Sequence, residues 1–221
     1  MIEAMPTSPL PGAPDLALPI VQAPMAGVQG SGLAIAVCRA GALGSLPCAT
    51  LPPDLLRREL AAIAAATDRP YNVNVFCHAA PPVDAARGEA WRAALQPYYD
   101  EWQVSSDAAP AAGGRAPFSH ATADVLAEFR PPIVSFHFGL PAPDLLARVR
   151  DWGAAVWSSA TTVDEARWLE AHGADVIIAQ GIEAGGHRGH FLSDDLTVQL
   201  PTAALVPAIV PSSTPYGVTS I

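Results

Sequence analysis

A glycine-rich loop with two histidines occupies the stretch AQGIEAGGHRGHF, residues 179–191. Four of the nine residues from 181 to 189 are glycines, and ordered glycine costs backbone entropy, so the cluster needs a physical reason. Gly185 and Gly186 would let a flat ring or a phosphate approach the main chain, with His187 beside it as a proton-transfer group. We therefore predict a functional loop rather than a loop histidine that is merely solvated.

The same loop offers a second chemistry, a metal site. Glu183, His187 and His190 are all metal-binding residue types, and the two histidines are three positions apart. A glycine-rich loop orients ligands poorly, however, and no helix or strand fixes a third strong ligand. We therefore expect no bound metal and interpret His190 as a solvated loop residue.

Two further polar residues lie in runs that are typical of buried strands. Asn74 lies in YNVNVF (71–76), where a buried amide needs partners and the edge of a ligand would provide them. His137 lies in IVSFHFG (133–139), and it is either a satisfied core histidine or a ligand contact. Ligands of parallel α/β folds bind at the carboxyl ends of the strands, so we expect these side chains near His187.

Short apolar runs alternate with helical patterns along most of the chain. The runs predict six strands, at 19–27, 42–50, 71–76, 133–139, 154–161 and 174–181. The helix at 162–173 is well marked, because Thr162 and Glu165 have capping-box spacing and Gly173 stands at its end. This alternation predicts an α/β fold with a parallel sheet, either a (β/α)₈ barrel or a doubly wound sheet.

The pattern also divides the chain. Residues 1–18 are predicted to form an N-terminal loop segment, and 19–207 a partial (β/α)₈-type barrel domain of about six βα units. Within it, 77–132 breaks the rhythm and is interpreted as an elaborated crossover with helices around 89–102 and 121–129. Residues 208–221 are expected to be a divergent tail.

Composition excludes several classes of protein. Half of the 221 residues are hydrophobic, which is typical of a globular protein, and the net charge of −9 argues against nucleic-acid or anionic-membrane partners. The three cysteines lack CxxC spacing and predict reduced thiols in the cytoplasm. No apolar run reaches the roughly 18 residues of a membrane span, and no signal peptide is visible. The motif GVQGSG (27–32) has the wrong glycine spacing for dinucleotide binding.

Five blocks of the sequence resemble a known family. They are PIVQAPMAGVQG, YNVNVFCH, VSFHFGLP, WSSATTVDEA and AQGIEAGGHRG, and they extend in order from about Pro19 to Pro207. Together they are similar to the nitronate monooxygenases, formerly called 2-nitropropane dioxygenases. The resemblance implies a TIM-barrel flavoprotein with non-covalent FMN that oxidises alkyl nitronates, such as propionate 3-nitronate, with O₂ in a detoxifying reaction. A homo-oligomer is a possible assembly.

The resemblance also implies roles for individual residues. His187 corresponds to the catalytic residue and would take the α-proton of a neutral nitroalkane, and His137 falls where the family lines its substrate pocket. The residues implied to contact FMN are Pro24, Met25, Ala26, Asn74, Gln180, Gly185 and Gly186.

The last residues depart from the resemblance. A (β/α)₈ barrel typically needs about 250 residues, and the loops after its seventh and eighth strands hold phosphate. Neither of these strands is visible after Pro207, so we expect a C-terminally truncated or frame-shifted version. Three alternatives follow: a nitronate monooxygenase, an FMN-dependent NAD(P)H enoyl-thioester reductase-like enzyme, or an inactive truncated remnant.

Overall fold

Strands and helices alternate in the computed structural model, which describes residues 10–13, 15–79, 84–105, 116–210 and 217–220. The strands are β1 (Gly44–Pro47), β2 (Tyr71–Phe76), β3 (Ile133–His137), β4 (Ala155–Ala160), β5 (Val176–Gln180) and β6 (Gly217–Ser220). The helices are α1 (Ser31–Arg39), α2 (Pro53–Ala66), α3 (Ala85–Trp102), α4 (His120–Phe129), α5 (Pro143–Asp151), α6 (Val163–Ala171) and α7 (Thr202–Ile209), with a 3₁₀ turn at Leu196–Val198.

The six strands form one parallel sheet in the order β1-β2-β3-β4-β5-β6. Each strand pairs with the next one along the chain, as in a (β/α)₈ barrel, whereas a doubly wound sheet reverses its order at a switch point. The predicted α/β fold of the TIM-barrel type is therefore confirmed. Among the described residues, no helix is both long and apolar enough to cross a membrane.

The predicted first strand, 19–27, is wrong as a regular strand. Only Val21 forms a bridge, which is parallel to Leu43, and the Gln22 N–H donates to the Leu43 carbonyl at 2.9 Å. Pro19 and Pro24 flank this bridge, and because proline has no N–H it cannot continue a hydrogen-bonded ladder.

A strand also occurs where the sequence predicted none. β6 lies in the segment 208–221 and pairs with β5 from Ile177–Gly217 to Gln180–Ser220. The unpaired edge of β5 would otherwise leave backbone donors and acceptors without partners. The segment GVTS also contains two β-branched residues, which favour extended backbone.

The amino ends of the strands are closed by the N-terminal segment. The indole N–H of Trp157 donates to the Pro11 carbonyl at 3.1 Å, and Ala13 packs with Leu43, Ile133 and Trp157 in one apolar cluster. These contacts cover the end of the sheet at which the strands begin. The carboxyl ends of the strands are left to form a cavity.

The crossover between β2 and β3 contains α3 and α4. Asp84 caps α3 by accepting from the Arg87 N–H at 2.9 Å, and Ser119 caps α4. α3 has no buried side chain, whereas α4 packs Val125 and Leu126 into the main core. Both predicted helices of the crossover are therefore present, and α4 is the one that joins the core.

Candidate functional site

A cavity of about 530 Å³ lies at the carboxyl ends of the strands. Its wall combines strand ends with the loop that follows β5. All the side chains and glycines assigned from the sequence contribute to this wall: Pro24, Met25, Ala26, Asn74, His137, Gln180, Gly185, Gly186 and His187. The structure thus gathers residues that are up to 163 positions apart around a single space.

The four glycines of the loop after β5 fall into two groups. A Cβ on Gly185 or Gly186 would meet no atom within 4 Å, and Gly186 has φ +76°. A Cβ on Gly189 would lie 2.6 Å from Cε1 of His137, and one on Gly181 would collide with Thr202. The first pair leaves bare main chain at the cavity, and the second pair permits close packing.

Gln180 holds this loop in place. Its side-chain Nε2 donates to the His187 carbonyl at 2.8 Å, and its Oε1 accepts from the Gly189 N–H at 2.7 Å. One N–H and one acceptor lone pair of the amide remain for another group. The residue predicted to contact FMN therefore also fixes the main chain on both sides of the His187–Gly189 turn.

The His187 ring lies between two phenylalanines. Its centroid is 5.5 Å from that of Phe76 and 6.0 Å from that of Phe138, both in edge-to-face arrangement. Phe138 has φ +67°, a left-handed conformation that costs energy in a bulky residue. The surrounding fold therefore holds Phe138 against the histidine at the expense of backbone strain.

His137 is a largely buried neighbour of the same loop. Its Nδ1 and the Ser159 hydroxyl are 2.6 Å apart, and its ring is 5.6 Å from that of Phe76. Burial, together with smaller repulsion from His187 and His190, lowers the pKa of His137 to about 4, although a hydrogen bond with the His187 backbone acts in the opposite direction. The imidazole is therefore neutral at physiological pH, and it can donate or accept a hydrogen bond without carrying charge.

The lowered pKa of His137 predicts a pH-dependent stability. Between its ordinary pKa of 6.5 and the folded pKa of about 4, the unfolded chain binds more protons, so stability falls as the pH falls. The contribution of His137 to the free energy of unfolding is fully present above pH 6.5. On the order of 3 kcal/mol of this free energy is lost at about pH 4. Urea unfolding of wild type and His137→Asn at about pH 7 and about pH 4 should show a smaller acid loss in the variant. Equal losses would contradict this interpretation of the buried imidazole.

Two asparagines on β2 differ in how their amides are bonded. The Nδ2 of Asn74 donates to the Ser135 hydroxyl at 2.9 Å, so part of its hydrogen-bonding capacity is used within the protein. Asn72, which the sequence interpretation did not select, also lines the cavity and donates to the Ser45 hydroxyl at 3.0 Å. Its Oδ1 is buried without a partner. The strand alternation of 72, 74 and 76 was the signal that could have identified it.

Met25 contributes exposed surface rather than core. Its side chain is 44% exposed at the cavity rim, in contrast to the burial that methionine usually has. The segment before it is fixed by Gln22, whose Oε1 accepts from the Ser45 N–H at 3.0 Å. The Pro24–Ala26 stretch is therefore held beside β1 at the entrance of the cavity.

Glu183 has a structural partner outside the cavity. Its carboxylate accepts from the N–H of Thr202 at 3.0 Å and from its hydroxyl at 3.1 Å, and these bonds lower the pKa of Glu183. Glu183 therefore caps α7. Within the described ranges, no group of three His, Cys, Asp or Glu side chains is placed to hold a metal ion.

The family model for nitronate monooxygenase matches residues 10–212. The chain belongs to the nitronate monooxygenase family. This assignment agrees with the order of the five blocks and with the position of the glycine-rich loop at the cavity. The resemblance seen in the sequence is thereby confirmed.

Curated relatives and a solved structure agree with this assignment. The chain is 44% identical to a nitronate monooxygenase from Paraburkholderia phytofirmans over 85% of its length, and 40% identical to one from Pseudomonas aeruginosa over 85%. A nitroalkane oxidase from Streptomyces ansochromogenes matches 92% of the chain with 37% identity and a TM-score of 0.80. The chain spans 51% and 54% of the two relatives and 58% of the solved chain, so it corresponds to about half of their length.

Besides Asn72, three residues at the loop received no role in the site from the sequence interpretation. Phe76 and Phe138 flank His187, and Glu165 reaches the far end of the same loop. Phe76 ends the alternating run that contains Asn74, which was an available signal. Phe138 and Glu165 act through contacts between distant segments, and no local sequence pattern predicts such contacts.

Proposed function

We propose that the chain provides the flavin-ring and substrate site of an FMN-dependent enzyme that oxidises alkyl nitronates, of the propionate 3-nitronate type, with O₂. The observation that carries the proposal is the bare main chain of Gly185 and Gly186 beside His187 at the cavity. Membership of the nitronate monooxygenase family supports it. The similarity to a structure described as a nitroalkane oxidase supports the same chemistry.

The lining of the cavity fits the isoalloxazine ring of FMN. The volume of about 530 Å³ lies within the range of about 300–1,000 Å³ that is usual for ligand sites. The glycines and the Phe76 ring offer flat surface, and amides are available for the polar edge of the ring. Bound FMN would supply the electron transfer between substrate and oxygen, which no side chain here can perform. We infer that the ring is held by Pro24, Met25, Ala26, Asn74, Gln180, Gly185 and Gly186.

The phosphate of FMN requires other donors. No arginine or lysine belongs to the cavity wall formed by the described residues. Barrels of this type bind phosphate with the loops after their seventh and eighth strands. The proposal therefore assigns the ring, and not the phosphate, to the residues named above.

A nitronate anion must be held here by neutral groups. The described cavity wall contains no Asp, Glu, Arg or Lys, so neither an ion pair nor carboxylate repulsion arises from it. His137 stays uncharged because burial lowers its pKa to about 4, and Ser159 lies at its Nδ1. We infer that His137 orients the substrate by hydrogen bonding. A permanent positive charge would instead bind substrate and product alike.

His187 is inferred to be the general base for neutral nitroalkanes. Such a substrate must lose an α-proton before it can be oxidised, and imidazole is the side chain best matched to proton transfer near pH 7. Phe76 and Phe138 confine the His187 ring, and Gln180 fixes the main-chain carbonyl of His187. A preformed nitronate needs no such step.

Reconstitution with FMN tests the proposal. FMN fluorescence should be quenched on titration with the protein, and oxygen uptake should begin when propionate 3-nitronate is added. If FMN binds but only NAD(P)H is oxidised, the enoyl-thioester reductase-like alternative is correct. If FMN does not bind, the proposed function fails for this chain. The barrel boundaries at 19–207, a homo-oligomeric state and a cytoplasmic location remain predictions.

A further inference from the structure

A buried carboxylate lies at the far end of the loop that carries His187. Glu165 belongs to the first turn of α6 and is 1% exposed. Its Oε2 accepts from the Thr161 N–H at 2.7 Å and from the Thr161 hydroxyl at 2.8 Å. Its Oε1 accepts from the N–H groups of Phe191 at 2.7 Å and Leu192 at 3.4 Å. One side chain therefore joins the end of β4 to the end of the loop after β5.

Both oxygens of Glu165 act only as acceptors. Three of the four donors are backbone N–H groups, which cannot reverse their role, so both oxygens of the side chain are required as acceptors. No ion pair within the described residues involves Glu165, so these hydrogen bonds are the contacts that hold its side chain. Four donors from two segments converge on this one buried side chain, which is more than helix capping requires and points to a further role.

The capping of α6 does not need this carboxylate. Thr162 is the N-cap, and its hydroxyl accepts from the Glu165 N–H at 3.1 Å. In a capping box the glutamate would return to the N–H of the N-cap residue, but here it bonds to Thr161 and to Phe191 instead. The side chain is therefore directed to the loop.

Phe191 connects the Glu165 side chain to the residues beside the cavity. Its ring lies against Gly139, where a Cβ would be 3.1 Å from the phenylalanine Cδ2, and it packs edge-to-face with Trp168 at 5.2 Å. Gly139 directly follows the His137–Phe138 pair, which contacts His187 through the Phe138 ring. Fixing the Phe191 main chain thus fixes the loop on the side opposite to the Gln180 clamp.

We propose that Glu165 is a positioning residue: its buried carboxylate holds the C-terminal half of the 181–192 loop so that His187 faces the cavity. Its importance for turnover rests on the function proposed above, whereas the anchoring itself is a property of the apoprotein. Glu165 does not line the cavity, so it acts through the loop and not on the reacting atoms.

The test compares Glu165→Gln with Asp164→Asn. Both variants remove one acidic side chain from the first turn of α6, but Asp164 is exposed and, among the described residues, pairs only with the exposed Arg167. An amide in place of Glu165 can turn its N–H to the Thr161 hydroxyl, which can accept, so Glu165→Ala is included because it removes both acceptors. Hydrogen exchange of the apoprotein should be about 10-fold to 100-fold faster at Phe191 and Leu192 in Glu165→Ala, and at Thr161 or at Phe191 and Leu192 in Glu165→Gln, but not in Asp164→Asn.

Turnover provides the second measurement. With FMN and nitroethane, kcat of Glu165→Gln should fall by about 10-fold or more while KM changes little, because a misplaced loop reduces productive alignment of His187; turnover of ethyl nitronate should change far less. Asp164→Asn should match wild type in both parameters. If wild type itself does not turn over, the proposed function fails, and the exchange data still decide the anchoring.

Two outcomes would overturn the proposal. One is unchanged exchange at Phe191 and Leu192 in Glu165→Ala. The other is acceleration that is equal in the loop and in α1, which would indicate a general loss of stability. Should Glu165→Ala fail to fold, Glu165→Asp replaces it: both acceptors remain but are withdrawn by one methylene. Hydrogen exchange at Phe191 and Leu192 must then be faster in Glu165→Asp than in Asp164→Asn. Equal exchange rates in the two variants would contradict the proposed anchoring.

Discussion

Replacing His187 by asparagine is expected to lower kcat/KM for neutral nitroalkanes by about 10²-fold to 10⁴-fold, the range that a positioned general base contributes. Asparagine keeps a polar planar group between the Phe76 and Phe138 rings but cannot accept a proton at neutral pH. The effect should be selective. A preformed nitronate has already lost its α-proton, so its oxidation should decline far less.

Comparing the two substrates isolates the proton transfer from the binding of flavin. Initial rates of oxygen uptake with nitroethane and with ethyl nitronate should be measured on FMN-saturated wild type and His187→Asn. His120→Asn is the matched control, because His120 is exposed, pairs with Asp144 at 3.3 Å and does not belong to the cavity wall that the described residues form. Equal losses on both substrates would assign His187 to substrate binding, and no loss on either would show that the loop does not carry the catalytic base.

The parallel sheet and the position of the cavity could be predicted from the sequence because they follow from local patterns. The alternation of YNVNVF places Asn74 and Phe76 on one face of β2, and glycines after a buried run indicate a turn at its carboxyl end. Parallel strands bring such ends together whatever their separation along the chain. This geometric rule is why residues as distant as Asn74 and His187 were assigned to one site.

Contacts between distant segments could not be predicted in this way. The capping-box spacing of Thr162 and Glu165 identified the start of α6, yet the carboxylate bonds to Phe191, which is 26 positions away. Likewise, Gly189 is required because the His137 ring lies against it, which no pattern in the loop itself reveals. Such partners depend on how strands stack in space.

The predicted strand boundaries were wrong where pairing with a neighbouring strand determines whether a strand forms. Val21 lies in an apolar run that resembles a strand, but the prolines on either side leave only one bridge to Leu43. β6, in contrast, is a short segment with a weak pattern, and the free edge of β5 provides its partner. Propensity therefore misjudged both ends of the sheet, since edge pairing depends on the partner rather than on the strand alone.

Replacing Gly185, whose bare main chain lies at the cavity, is the second change for which we expect a large effect. Gly185→Leu should weaken FMN binding by about 10²-fold to 10³-fold, because four added heavy atoms would occupy the surface against which the ring is proposed to lie. A Cβ there meets no atom within 4 Å, and Gly185 does not have the positive φ of Gly186, so the apoprotein should accommodate the side chain. The loss should therefore appear in ligand affinity and not in stability.

Flavin fluorescence titration and thermal unfolding of the apoprotein separate these two quantities. Gly88→Leu on α3 is the matched control, since a Cβ at that glycine also meets no atom within 4 Å but lies outside the cavity wall. Gly185→Leu should retain the apoprotein Tm of the control while its Kd for FMN rises. Unaltered affinity would place the ring elsewhere in the cavity, because a leucine at Gly185 cannot share that surface with an isoalloxazine.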